Sequence, residues 1–397
     1  VAPAAAAPGP LATAPGPEAT EPGQTVTATN EPAPVGGSPA PAKPEAVVTM
    51  GDGFLAGEGA RWLGNARGLG NFGGIPQALR DATDRVKTTG LAVTEIYSAD
   101  CRRSSALAFT HATARRINIA CSGTGADELA RSVGSGATQL QRLRALAASY
   151  TVTTVFLSVG AVDARYTETV RSCADAWNQN RYCSTDPAVT APAAERIAAV
   201  GAKVTAAVQA VRAALREHDQ ATRVVVQSYP LPLASGEATT TAAHDENGWD
   251  RWSVYGCPFY DRDLRWLATG VGAALNTAVR TAAHGAGADV VDLGRLLDGH
   301  QVCGKDPLQT AFATDGTVSS PPPARAEWAR YLPRTREPLP AGEERELLHP
   351  NYYGQRALGH CLSSVAAHLG ASAAPLSARC VAAAGSAPEA VTVVYGE

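Results

Sequence analysis

Four short runs of apolar, largely β-branched residues, each cut off by glycine or by a turn, constrain this 397-residue chain more than anything else in it. Val47-Val48-Thr49-Met50 stops at Gly51-Asp52-Gly53, and Thr154 to Val159 stops at Gly160. Arg223 to Gln227 gives way to Tyr229-Pro230, and Asp289 to Asp292 is the fourth. Runs this short and this apolar suit strands covered on both faces. Between them lie amphipathic helical stripes. Ile197, Val200, Val204, Val208, Val211 and Leu215 recur at spacings of three and four, as do Leu264, Leu267, Val271, Leu275 and Val279. Alternating buried strands and helices predict βαβ units, hence an α/β fold, a three-layer α/β/α sandwich with a parallel sheet. Ligands of such sheets bind at the carboxyl ends of the strands, so the residues just after Met50, Val159, Gln227 and Asp292 are the first candidates.

Composition excludes several classes. Charged residues are 18% and the net charge is −3, which does not fit a nucleic-acid binder driven by basic surface. No uninterrupted apolar run reaches the roughly 18 residues needed to span a bilayer, so no transmembrane segment is expected. Residues 1–45 are dominated by Pro, Ala, Gly and Thr and cannot offset chain entropy by burial, so they read as a disordered arm. A folded domain is expected over 46–382, with a C-terminal tail over 383–397 and a long loop over 314–345. The eight cysteines include no C-x-x-C pair. They read as disulfides formed in an oxidising compartment, with many connectivities open. A chain opening Val-Ala-Pro with such cysteines is expected to be a mature secreted monomer. The arm is either a cell-surface spacer or a passive tail.

Together the strand ends carry a further set of motifs. Val47-Val48-Thr49-Met50-Gly51-Asp52-Gly53-Phe54-Leu55-Ala56-Gly57-Glu58-Gly59 resembles the opening block of the SGNH (GDSL-type) hydrolases, in the form of the secreted actinobacterial lipase/esterase branch. Asn118-Ile119-Ala120-Cys121-Ser122-Gly123 is similar to the second block and Leu157-Ser158-Val159-Gly160-Ala161-Val162-Asp163 to the third, normally G-x-N-D. Leu348-His349-Pro350-Asn351-Tyr352-Tyr353-Gly354 resembles the last, which carries the catalytic histidine. The resemblance spans about residues 46 to 380. It implies a flavodoxin-like, SGNH-hydrolase-like fold, ester or lipid chemistry, no metal and no organic cofactor. It also implies cysteines paired in sequence order, Cys101–Cys121, Cys173–Cys183, Cys257–Cys303 and Cys361–Cys380.

The departures from that pattern matter most. The family's nucleophilic serine falls at Gly53, which has no side chain, and the asparagine that donates to the oxyanion falls at Val162, which has no donor. The oxyanion-position Gly123 and the histidine at 349 remain, and Glu346 occupies the place of the acid. Asp52 has two readings: a carboxylate bonding the turn's backbone N–H groups, or a partner of His349 in orienting a water. Ser122, beside Gly123, is a substitute hydroxyl. Trp249, Trp252 and Tyr255 are either packing residues or a ligand-binding wall over the strand ends. Gly68-Leu69-Gly70-Asn71-Phe72-Gly73 matches a dinucleotide fingerprint, but no buried strand precedes it, so a loop at the pocket rim is expected. His244-Asp245-Glu246 lacks metal-ligand spacing and reads as solvated charge.

The sequence thus predicts a pseudoenzyme of a lipase/esterase family that keeps a pocket for a small acyl, lipid or glycosyl ligand, or for a protein partner. The alternatives are an active hydrolase or transferase with rearranged chemistry, using His349 with Asp52, Glu346 or Ser122, and an esterase inactivated deliberately at residue 53.

Overall fold

The computed structural model describes residues 42–68, 77–104, 114–131, 136–235, 249–313, 315–331, 343–369 and 374–396. Residues 1–41, most of the Gly-rich stretch after Gly68, and His244-Asp245-Glu246 lie outside them. Lys43 to Glu397 forms one compact unit.

The four apolar runs are strands. β1 (Glu45–Gly51), β2 (Arg115–Asn118), β3 (Thr151–Ser158), β4 (Arg223–Gln227) and β5 (Asp289–Arg295) are followed by a two-stranded hairpin, β6 (Ala311–Phe312) and β7 (Val318–Ser319). Two more, β8 (Ser377–Val381) and β9 (Thr392–Tyr395), close the main sheet. Its order is β2-β1-β3-β4-β5-β8-β9, parallel throughout except for the antiparallel β8–β9 edge. The C-terminal stretch expected as a tail therefore contributes a sheet strand. Thr392-Val393-Val394-Tyr395 alternates, as an edge exposed on one side requires, and pairs with β8 from Ala378 to Val381. Val47, Val48, Met50, Val155, Phe156, Leu157 and Val224 to Val226 are all buried, as expected of strands covered on both faces.

The helices that support the sheet and its carboxyl edge are α1 (Gly53–Ala56), α2 (Gln139–Ser149), α3 (Tyr166–Asn178), α4 (Pro187–Arg216), α5 (Ala273–Gly285) and α6 (Tyr352–Leu369). Their starts have local causes. Thr138 and Gln141 form a capping box for α2, and Asp186 accepts from Ala188 with Pro187 at the first turn of α4. α2, α4 and α5 pack on one another and on the sheet. α6 packs on β9, is bridged to β8 by Cys361–Cys380, and is tied to the α1 region by Gln355 Nε2, which donates to the carbonyls of Phe54 and Glu58.

α4 is long and apolar enough by composition to cross a bilayer, because Ala and Val fill the gaps of its stripe. The stripe itself is packed into the fold, since Val200, Val204, Val208, Val211 and Leu215 are buried. The second predicted stripe spans three consecutive helical segments: a short α-helix over Asp261–Arg265 that holds Leu264, a π-helical turn over Trp266–Gly272, and then α5. All four disulfides join cysteines in sequence order.

Candidate functional site: a cleft at the carboxyl ends of the sheet

Strand order reverses at β1, which pairs with β2 on one side and β3 on the other, and a ligand cleft belongs at such a switch point. The residues following β1, β2 and β3 do line one cleft of about 680 Å³. Asp52, Gly53 and Phe54 come from the first strand end, Ser122, Gly123 and Thr124 from the second, and Ala161 and Val162 from the third. His349 reaches in from the turn before α6.

The turn at β1 leaves no room for a side chain at residue 51. Gly51 has φ +117°, a Cβ there would lie 1.9 Å from the Ser158 carbonyl oxygen, and Asp52 N–H donates to that same oxygen. Gln139 completes the turn, accepting from Gly51 N–H at 2.7 Å and donating to its carbonyl at 2.9 Å. Gly123 has φ +80°, the left-handed conformation that favours glycine.

Asp52 is buried, with both carboxylate oxygens engaged in hydrogen bonds. Oδ1 accepts from Phe54 N–H, capping α1, and Oδ2 accepts from the Tyr229 hydroxyl at 2.6 Å. The Tyr229 hydroxyl oxygen, Oη, in turn accepts from Ala161 N–H, so one hydroxyl links the ends of β1, β3 and β4. Burial lifts the Asp52 carboxyl to about 7 against these hydrogen bonds. Tyr229 was legible only as the residue after a strand end; its bond to Asp52 spans 177 positions and carries no local signal.

His349 stands against Phe54, ring centroids 4.6 Å apart. Its Nδ1 faces the Leu347 carbonyl at 3.2 Å, which requires the proton on Nδ1 and leaves Nε2 as a bare acceptor. Burial holds the ring neutral, lowering its pKa to about 4. A Cβ at Gly53 would lie 2.5 Å from His349 Nε2 and 3.3 Å from the Ser122 hydroxyl oxygen. The imidazole thus leans into the space of the missing side chain, and among the expected residues only Ser122 brings a hydroxyl to the same point.

Glu346 is not the partner of His349. It is fully buried in a separate ion-pair network, with Arg61 Nε at 2.8 Å, Arg102 Nη2 at 3.1 Å and the Trp62 indole N–H at 2.7 Å. Arg102 also meets buried Glu58 at 2.5 Å, and Arg61 meets Asp84 at 2.6 Å. Two arginines prevail over one imidazole for a buried carboxylate, because only they supply several donors in fixed geometry.

Of the expected aromatic wall, Trp252 and Tyr255 do not line this cleft, and the side chain of Trp249 lies outside the described part of the chain. Trp252 packs edge-on against Trp177 at 5.6 Å, and Tyr255 lies under the Arg67 guanidinium, beside a smaller cavity that includes Glu327 and Gln309. The apolar surface of the cleft comes from Phe54, Ala161, Tyr166 and Val162, the last 38% exposed. Its mouth carries Arg131, Arg165, Arg171 and Arg345 among Glu128, Glu168 and Glu344, residues the sequence did not single out because they face one opening only in the fold. Among the described residues no cluster of three or more His, Cys, Asp or Glu is arranged to hold a metal ion.

No protein-family model and no curated protein matches the chain. Similar solved structures are lipases and esterases. The extracellular lipase of Streptomyces rimosus is 17% identical, with a TM-score of 0.49, over 83% of this chain and 100% of that one. Phospholipase A1 from Streptomyces albidoflavus NA297 is 18% identical with a TM-score of 0.48, over 82% and 99%. The aryl esterase of M. smegmatis is 13% identical with a TM-score of 0.34, over 82% and 99%.

Proposed function

We propose that this chain is a secreted, lipase/esterase-like protein that binds an acyl or glycosyl ligand in the cleft and does not hydrolyse esters through residue 53. One observation carries the reading: at Gly53 no nucleophile faces His349 Nε2, and the imidazole leans into the place a side chain would take. Loss of a triad nucleophile leaves roughly 10³–10⁴-fold catalysis over water, and loss of an oxyanion donor costs on the order of 10²–10³ in turnover. The two losses need not multiply, because such groups act as a unit. Val162 offers no donor where the resemblance calls for one, so both deficits coincide here. The four disulfides support an oxidising, extracellular compartment.

The test is turnover of short-chain p-nitrophenyl esters by the wild type and by Gly53→Ser with Val162→Asn. An inert wild type and an active double variant are expected. Wild-type turnover abolished by a serine-directed phosphonate contradicts the reading.

A second reading draws on the position of Ser122, whose hydroxyl shares the vacated space with His349 Nε2. In it Ser122 Oγ attacks the ester carbonyl, His349 Nε2 takes the hydroxyl proton and returns it to the leaving alcohol, and water then releases the acid. It requires a phosphonate adduct mapped by mass spectrometry to Ser122 and lost in His349→Ala.

A further inference from the structure

Charge at the mouth of the cleft is not self-compensated. Arg165 pairs with Glu168 at 3.4 Å, Glu168 also meets Arg196 at 3.8 Å, and Arg171 pairs with Glu344 at 3.7 Å. Glu128 turns its carboxylate to Gly125 N–H. Arg131 and Arg345 remain, both exposed and both without an ion pair among the described residues. At the mouth itself Glu128 is the one carboxylate outside an ion pair, against Arg131 and Arg345; Glu195, in the adjoining groove, has no ion pair either among the described residues.

Arg131 has a second distinction. A neighbouring groove, also about 680 Å³, holds Asp127, Asp163, Glu195, Arg196 and Lys203, and it shares Glu128, Arg131, Val162 and Arg165 with the cleft. Lys203 is committed to Asp163 at 2.8 Å and Asp127 at 3.2 Å. Glu128, Arg131, Val162 and Arg165 therefore border both the cleft and this more polar groove. At that border Val162, 38% exposed, gives an apolar surface on which a hydrocarbon chain can lie without stranding a polar group.

We infer that the cleft takes a single-chain amphiphile with an anionic head, its chain along Phe54, Ala161, Val162 and Tyr166 and its head on Arg131, with Arg345 adding charge from the other side of the mouth. Guanidinium groups recognise carboxylate and phosphate oxygens by paired hydrogen bonds, and an unpaired one at the edge of an apolar lobe selects that head over an uncharged one. The inference rests on the proposed function, in which the cleft binds rather than becomes acylated. The two fail separately: a serine adduct in the wild type removes the proposed function, whereas the ranking of head groups tests this inference.

The experiment is isothermal titration calorimetry on the full chain with decanoate, decyl phosphate, decyl maltoside and decyltrimethylammonium, each below its critical micelle concentration. The chain length is constant, so differences report the head. Decanoate or decyl phosphate should bind at least about tenfold tighter than decyl maltoside, a gap of about 1.4 kcal/mol, and the cation weakest of all. Preference for decyl phosphate alone still supports the inference and narrows the anion to phosphate. Arg131→Glu should abolish the anion preference, read as the ratio of decyl phosphate to decyl maltoside affinity, and Arg345→Glu should reduce it; circular dichroism confirms that both variants are folded. Equal affinity for charged and uncharged heads, an Arg131→Glu variant with unchanged preference, or no binding of any of the four overturns the inference.

Discussion

A serine returned to position 53 has to share space with an imidazole. Its Cβ would fall 2.5 Å from His349 Nε2, closer than real Cβ atoms approach, so the ring must swing back from Phe54 before a hydroxyl can be accommodated. Gly53→Ser alone is therefore expected to lower stability by about 1–3 kcal/mol, as overpacked sites do, with little gain in ester turnover; urea titration and a p-nitrophenyl acetate assay read the two effects. Turnover from that single change would mean that Val162 costs nothing. Glu346 makes the complementary case. It sits where the resemblance places a catalytic acid, yet two arginines and an indole hold it. Glu346→Gln leaves Arg61 and Arg102 short of a buried counter-charge and should cost on the order of 3 kcal/mol in urea unfolding. Affinity for decyl phosphate should not change, because His349 is oriented by the Leu347 carbonyl instead. A variant that keeps its stability but loses binding would return Glu346 to the site.

At the scale of elements, legibility in the sequence followed burial. β1, β3, β4 and β5 were readable because strands covered on both faces must be apolar and short. β2, with the sequence Arg-Arg-Ile-Asn, was not, since an edge strand carries no such demand. The same holds for β9, the other edge, which falls in the stretch expected as a tail; β8 is an inner strand, but its burial alternates, so it forms no continuous apolar run. The glycine turn after β1 was legible because it breaks an apolar run, whereas His349 came only with the resemblance. The partners of Glu346 were not, because ion pairs hundreds of residues apart leave no spacing to read. The pairing of the cysteines came only with the resemblance, and the structure now makes it quantitative. The loops closed span 46 residues for Cys257–Cys303, 20 for Cys101–Cys121, 19 for Cys361–Cys380 and 10 for Cys173–Cys183. If the bridges act by restricting the unfolded chain, replacing Cys257 and Cys303 by serine should cost roughly 1–1.5 kcal/mol more than replacing Cys173 and Cys183. Denaturant unfolding of the two double variants checks that order, and a reversed order would place the stabilisation in the native state.

The molecule as a whole carries opposing buried titrations, and their sum sets its response to pH. Asp52 and Glu327 are both buried and both raised to about 7, Glu327 by a desolvation that its bonds from Asn65 and Gln309 only partly offset. Between about pH 4 and 7 the folded chain keeps these two protons while the unfolded chain has lost them, so stability falls as pH rises through that window. Glu58 and Asp84 are shifted upward by burial in the same sense. His349 works against them. Its pKa falls to about 4, so below about 6.5 the unfolded chain takes up a proton that the folded chain refuses, and stability falls as pH drops. His300, lowered by burial, adds to that term. The two carboxyl terms act together and run on to about pH 7, whereas the His349 term ends near 6.5, so the folded chain should be more stable at pH 5 than at pH 7.5 by on the order of 1–2 kcal/mol, measured by urea unfolding. Glu327→Gln keeps a hydrogen-bond acceptor for Asn65 and Gln309 but removes one proton from the balance, and should flatten the profile. His349→Ala removes the opposing term and should steepen it. A wild type that gains stability from pH 5 to 7.5 would mean that the histidine terms outweigh the carboxyl ones; if Glu327→Gln also leaves that profile unchanged, Glu327 is ionised in the fold and contributes no term of its own.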